Sequence, residues 1–179
     1  MAEEIVYVPA DRGRSNRILG LGLALLVLLI DQAVKWVVTY IVQLRQRDDG
    51  TMELAPFFQL RWTENRGVSM GFLTAGSETE RWLLVGLTAA ISVFVIVWLW
   101  KEKRRDDAIA LGLVLGGALG NITDRVRLGY VLDYADLHFG DVHPFLVFNV
   151  GDAAITIGVL LLLLRALLTR DPKPPREEN

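Results

Sequence analysis

Apolar residues gather into four long runs, at about residues 18–42, 82–100, 108–126 and 150–168. The first is interrupted by Asp31, Gln32 and Lys35. A hydrocarbon core about 30 Å thick takes roughly 20 helical residues to cross, so each run predicts a transmembrane helix. The long stretch at about 43–81 has a different rhythm. Phe58, Leu60 and Trp62 alternate there with Gln59, Arg61 and Thr63, the period of a half-buried strand. Asp49-Gly50 is a hairpin-type turn sequence. The expected fold is an all-α membrane protein, four spans with a small antiparallel β-sheet platform on the outer face. A second, shorter loop at about 127–149 carries Asp133. No internal repeat is visible, and residues 171–179, with three prolines and mixed charges, read as a disordered tail. The whole chain, 1–179, is expected to form a single membrane domain.

The third run has its own pattern. Ala108, Gly112, Gly116, Gly120 and Asp124 are each four apart and share one helix face. Gly117, Asn121 and Arg125 form the adjacent line. Small residues at this spacing let helices approach closely in lipid. The end of the same face presents Asn121, Asp124 and Arg125 into the bundle. An Asn-Ile-Thr glycosylation sequon inside this helix reads as fortuitous. Tryptophans mark the interfaces, Trp36 and Trp82 at one and Trp98 and Trp100 at the other.

Composition agrees: 52% hydrophobic residues and a mean hydropathy of +0.34 exclude an ordinary soluble domain. A net charge of −2 points away from nucleic acid. The absence of cysteine removes disulfides, thiol nucleophiles and cysteine-ligated metals. The first run exceeds a signal-peptide core of about 7–15 residues, contains Asp31 and Lys35, and lacks a small-x-small cleavage site, so it is expected to be retained. Basic residues beside the spans set the orientation. Arg12, Arg14 and Arg17, the cluster Lys101, Lys103, Arg104 and Arg105, and the tail residues Arg165, Arg170, Lys173 and Arg176 fall on one side. That side is expected to be cytoplasmic, with both termini. Arg45, Arg47, Arg61 and Arg66 weaken the contrast but are spread over a long loop.

Asp133 and Asp152 then fall at the same outer edge of the bundle. Ionisable groups near a bilayer core are costly and mark function by default. Two carboxylates sharing one proton can hydrolyse a peptide, one as base on water and the other as acid on the carbonyl. Neither can ionise cheaply beside the other, so they titrate as a unit. Asn149 lies three residues before Asp152, and Asn65 and Gly67 lie in the outer loop. Arg125 either neutralises Asp124 or holds a substrate carbonyl or lipid headgroup. Asp31 and Lys35, one turn apart, read as a structural ion pair at the outer interface. His138 and His143 flank Asp141 at a spacing poor for a metal site and read as loop-packing residues. Ser69, Ser77 and Ser92 show no Ser–Lys motif. The alternative function is a small proton- or ion-coupled transporter with Asp31, Asp124, Asp133 and Asp152 as relay. The acids, however, gather at one interface, and no inverted repeat is present. A non-catalytic assembly partner using the glycine face would leave the paired aspartates unexplained.

At these residues the chain resembles the bacterial lipoprotein signal peptidases, the type II signal peptidases. The matching pieces are Asp31-Gln32 with Lys35; Asn65-x-Gly67; Gly116 to Asn121 with Asp124-Arg125; Val131-x-Asp133; and Phe148-Asn149-x-x-Asp152-x-Ala154. The resemblance implies a four-helix aspartic endopeptidase of the bacterial inner membrane, with both termini cytoplasmic and the active site near the outer face. It implies prolipoprotein substrates carrying a diacylglyceryl cysteine, cleavage before that cysteine, and Asp133 and Asp152 as the catalytic pair. Asn65, Gly67, Asn121, Arg125 and Asn149 would orient substrate or aspartates, with Asp124, Asp31 and Lys35 in support. It further implies sensitivity to globomycin-like cyclic peptides; the chain is expected to be a monomer in contact with membrane lipids, with no cofactor or metal. Departures are Val68-Ser69-Met70, where the family usually has Ala-Ala-Phe, and Leu132 and Gly151, usually Val and Ala.

Overall fold

The computed structural model describes residues 12–67, 78–140 and 142–168. The chain runs through α1 (Arg12–Trp36), a π-helical turn (Val37–Ile41), a 3-10 turn (Leu44–Gln46), β1 (Thr51–Ala55), β2 (Phe58–Asn65), α2 (Glu78–Lys101), α3 (Arg105–Leu128), β3 (Val131–Leu137) and α4 (Val150–Leu168). Among the described residues four helical segments are long and apolar enough to cross a membrane, as the four runs predict. The second and third helices extend a few residues beyond those runs because their polar ends remain helical.

The least hydrophobic span is the most enclosed. The apolar window of α3 has a hydropathy of 1.2 and is 61% buried, whereas those of α2 and α4 reach 2.4 and 2.0 and are 17% buried. Lipid solvates Leu and Val as well as a protein core does, so the greasy helices face outward and the small and polar residues meet inside. The glycine line makes this contact. A Cβ on Gly116 would lie 2.5 Å from the Ala24 carbonyl oxygen of α1, and one on Gly117 would collide with the Gly151 carbonyl of α4. Helix α3 is thus the central post, with α1 and α4 against its two small-residue faces. Towards the end of the bundle away from the sheet, Ala24, Val95, Leu99, Leu111 and Leu115 form a buried apolar cluster.

Helix α3 ends at Gly129, whose φ of 85° suits glycine and whose N–H bonds back to the Arg125 carbonyl. The turn delivers the chain into β3, the third strand of an antiparallel sheet ordered β1-β2-β3. This strand lies in what the sequence suggested was plain loop. Val131, Leu132, Tyr134 and Ala135 are all buried, as are Asp133 and Asp136, so no in–out alternation betrays it. The hairpin turn is also displaced from its expected place. The β1–β2 turn lies at Pro56 and Phe57, while Asp49-Gly50 precedes β1. There the Asp49 carboxylate accepts the Thr51 N–H, the local hydrogen bond that makes Asp common in turns of every kind. Leu132 and Tyr134 pack with Val38 and Leu44, seating the sheet on the end of α1. The tail at 171–179, Asp141, and the departure at Val68-Ser69-Met70 lie outside the described residues.

Candidate active site

Phe148 closes the second loop onto the sheet. Its carbonyl accepts the N–H groups of Tyr134 and Ala135, and its own N–H donates to the Ala135 carbonyl. That backbone clasp brings Asn149 and the start of α4 beside β3, and with them Asp152 beside Asp133.

Asn149 then does two jobs. Its Oδ1 accepts the Asp152 N–H at 2.9 Å, while Asp152 Oδ2 accepts the Asn149 N–H at 3.2 Å. This is a reciprocal capping box, with aspartate in the acidic position at the start of α4. Asn149 Nδ2 donates to Asp133 Oδ1 at 2.6 Å and to Asn121 Oδ1 at 3.3 Å. Asn121, on α3, donates to Asp152 Oδ1 at 2.8 Å, and Asn65, at the end of β2, donates to Asp133 Oδ2 at 3.0 Å. The Gly67 N–H holds Asn65 Oδ1 at 3.0 Å, fixing that amide's orientation. Each of the four carboxylate oxygens of Asp133 and Asp152 therefore accepts one N–H. Asp133 is 2% exposed. Burial, and after it the negative charge of Asp152, push its carboxyl up to about 7; the donors Asn65 and Asn149 pull the other way.

A second charged group lies behind this one. Lys35 Nζ sits between Asp31 Oδ2 at 2.8 Å and Asp124 Oδ2 at 2.7 Å, and all three residues are buried. The expected Asp31–Lys35 pair is present, and it is part of a triad. Asp31 Oδ1 accepts the Gly151 N–H at 3.0 Å, and Asp124 Oδ2 accepts the Leu132 N–H at 3.1 Å. The triad thus pins the residue before each candidate catalytic aspartate. Gly120 is required at this level, since its Cβ would lie 2.5 Å from Asp31 Oδ2.

Arg125 does not neutralise Asp124, one of its two expected roles. Adjacent residues on a helix point in different directions, and Asp124 is satisfied by Lys35, by Gln32 Nε2 at 2.9 Å and by Leu132. Among the described residues Arg125 makes no ion pair and its Nε has no hydrogen-bond partner. The sequence pattern marks Gln32 without giving it a role and gives no sign of Arg127, which donates to Gln32 Oε1 at 3.2 Å. The only signal was a polar residue next to Asp31 inside an apolar run. His143 pairs with Asp136 at 2.9 Å and its ring centroid lies 5.8 Å from that of His138, so both pack in the loop. Among the described residues no cluster of three His, Asp or Glu has metal-holding geometry.

Beside Asp152 opens a cavity of about 470 Å³ walled by Leu137, Phe145, Leu146, Phe148 and Ile157. Leu146 is 91% exposed at its rim.

A membrane-spanning bundle with two amide-held carboxylates beside an apolar cavity defines a membrane aspartic peptidase. Residues 23–168 match the family model described as signal peptidase (SPase) II, and the chain belongs to that family. It is 61% identical to the lipoprotein signal peptidase of Rhizorhabdus wittichii, over 94% of this chain and 96% of the relative. It is 52% identical to that of Sphingopyxis alaskensis, over 83% and 85%. Among solved structures it resembles a bacterial membrane enzyme determined by the in meso method at 2.3 Å, with a TM-score of 0.72 and 26% identity, over 89% of this chain and 94% of that one.

Proposed function

We propose that this protein removes signal peptides from diacylglyceryl-modified prolipoproteins, cutting before the lipid-modified cysteine, with Asp133 and Asp152 as its catalytic pair. The observation that carries the assignment is Asn149, which hydrogen-bonds Asp133 and caps the helix turn holding Asp152. Asp152, in the first turn of α4, acts as the base and takes a proton from the attacking water. Asp133, buried and protonated, donates to the scissile carbonyl oxygen. Collapse of the tetrahedral intermediate returns a proton to the departing amine and restores the carboxyl–carboxylate pair. Only water and two carboxylates are needed.

Arg125, with Nε unengaged, is positioned to take a substrate carbonyl. The apolar cavity beside Asp152 suits a lipid chain or the apolar part of a signal peptide. We place the chain in the bacterial inner membrane as one monomeric membrane domain. Basic flanks put both termini in the cytoplasm, and the sheet with the dyad lies at the outer face. Globomycin-like cyclic peptides are expected to compete at this site.

The test is cleavage of a diacylglyceryl-modified prolipoprotein by the purified protein in detergent, beside an unmodified control and the Asp152→Asn variant. Lipid-dependent cleavage abolished by the substitution supports the proposal. Equal cleavage of the unmodified control would remove the lipid requirement, and full activity in the variant would remove the dyad.

A further inference from the structure

On the opposite face of β3 from Asp133 lies a second cavity, of about 570 Å³, that the peptidase chemistry does not use. Alternation along the strand separates the two: Asp133 turns to the dyad, and Leu132 turns to this cavity. Lys35, in its ion pairs with Asp31 and Asp124, forms the floor. Arg45 and Arg127 stand at the rim, and Trp36, Tyr40 and Trp62 make aromatic walls. Arg45 lies over the Trp62 ring at 5.8 Å and pairs with Glu64 at 3.2 Å, and Glu64 is shared with Arg66. Among the described residues Arg127 makes no ion pair, and it donates to Gln32 Oε1 at 3.2 Å.

The cavity also opens towards lipid. The π-helical turn after α1 widens the helix where it leaves the bundle, and such turns are frequent at functional sites. The Trp36 and Tyr40 rings pack there at a tilt of 43°, centroids 5.9 Å apart and both more than half exposed, and Val37 and Ile41 lie exposed beside them. Aromatic side chains at this level sit among lipid headgroups. Guanidinium groups bind phosphate through paired, charge-assisted hydrogen bonds.

We propose that this cavity is a binding site for the headgroup of an anionic phospholipid. The phosphodiester lies between Arg45 and Arg127, and the acyl chains run along the exposed apolar surface of α1. The site is distinct from the dyad, and its floor is the ion pair that anchors Leu132 and Gly151.

The test uses the full chain, delipidated in non-ionic detergent and followed by native mass spectrometry. It is titrated separately with phosphatidylglycerol, phosphatidylcholine and inorganic phosphate. One phosphatidylglycerol should be retained in preference to phosphatidylcholine. The Arg45→Gln/Arg127→Gln double variant should bind it about thirtyfold more weakly, given what each basic residue contributes near an anionic surface. Its melting in detergent alone should be unchanged. Equal retention of both lipids, undiminished binding in the variant, or phosphate binding as tight as lipid binding would each overturn the site. Should the variant fail to fold, a photoreactive phosphatidylglycerol on the unaltered protein decides: labels within residues 36–46 or 127–130 sustain the proposal, and labels confined elsewhere overturn it. None of these readouts depends on peptidase activity.

Discussion

The protein holds two pairs of carboxylates a short way apart, three of the four buried, and treats the pairs in opposite ways. Asp31 and Asp124 receive a lysine between them. Asp133 and Asp152 receive neutral amides and a backbone N–H. In the first pair one buried lysine bonds both carboxylates, and the group serves as an anchor. In the second, no cation among the described residues bonds either carboxylate, so the cheapest way to relieve repulsion is to keep a proton. Amide donors fix the geometry of a carboxylate while leaving it titratable. The amide-held pair is set apart by the neutrality of the groups that hydrogen-bond it more than by its own depth.

Replacing either member of the amide-held pair should have the largest effect on activity. Asp133→Asn and Asp152→Asn should each lower turnover by about a thousandfold or more, while lipopeptide binding and melting persist. Single-turnover assays alongside binding isotherms would show this, and retained turnover would erase the contrast between the pairs.

The lysine-held pair should respond in stability. Lys35→Met leaves two buried acids without their cation, a loss of about 3–5 kcal/mol by analogy with broken buried ion pairs. Thermal melts in detergent should show a large drop, and an unchanged melt would mean that Lys35 is not the lock described here.

A subtler effect is the pH response. With the Asp133 carboxyl raised to about 7 from an ordinary 3.8, the folded state holds a proton that the unfolded chain has already released across that interval. Stability therefore falls as pH rises from about 4 to 7, and Asp133→Asn should flatten that slope. On the proposed mechanism the same proton is needed for catalysis, so turnover should follow a bell whose alkaline limb falls near 7. A rate that keeps rising past neutrality, with chemistry limiting, would contradict the assignment of the proton to Asp133.

The smallest effect is expected at Asn65. Asn65→Ala removes one donor from Asp133 and should cost about 1–3 kcal/mol in transition-state positioning or local order, read as lower turnover with a nearly unchanged KM.

Local patterns were the legible part of this molecule. Four apolar runs, the four-residue spacing of the α3 glycines and the Asp31–Lys35 step each depend on neighbours one or two turns away. Asp133 and Asp152 stand out in the sequence because each lies close to the end of an apolar run, and Asn149 holds the two together. What escaped depends on partners distant in the chain. Strand β3 owes its existence to pairing with β2 and to the Phe148 clasp, and its double-sided burial erased the alternation that revealed β2. The nearby Arg125 was a natural partner for Asp124, but the bond goes to Lys35 on another helix. Asp49-Gly50 shows the converse, a correct local turn preference used at the entry to a strand.

The enclosure of α3 also bears on how the protein is made. A segment with the lowest hydropathy of the four spans, carrying Asp107, Asn121, Asp124 and Arg125, is a poor passenger for the insertion machinery by itself. Its Asp124 finds a counter-charge in Lys35, which emerged from the ribosome with α1, and its Asp107 finds one in Arg165, which arrives only with α4. Biogenesis must therefore hold the early helix near the exit site until the central one appears, and tolerate an exposed acid until the last one is threaded.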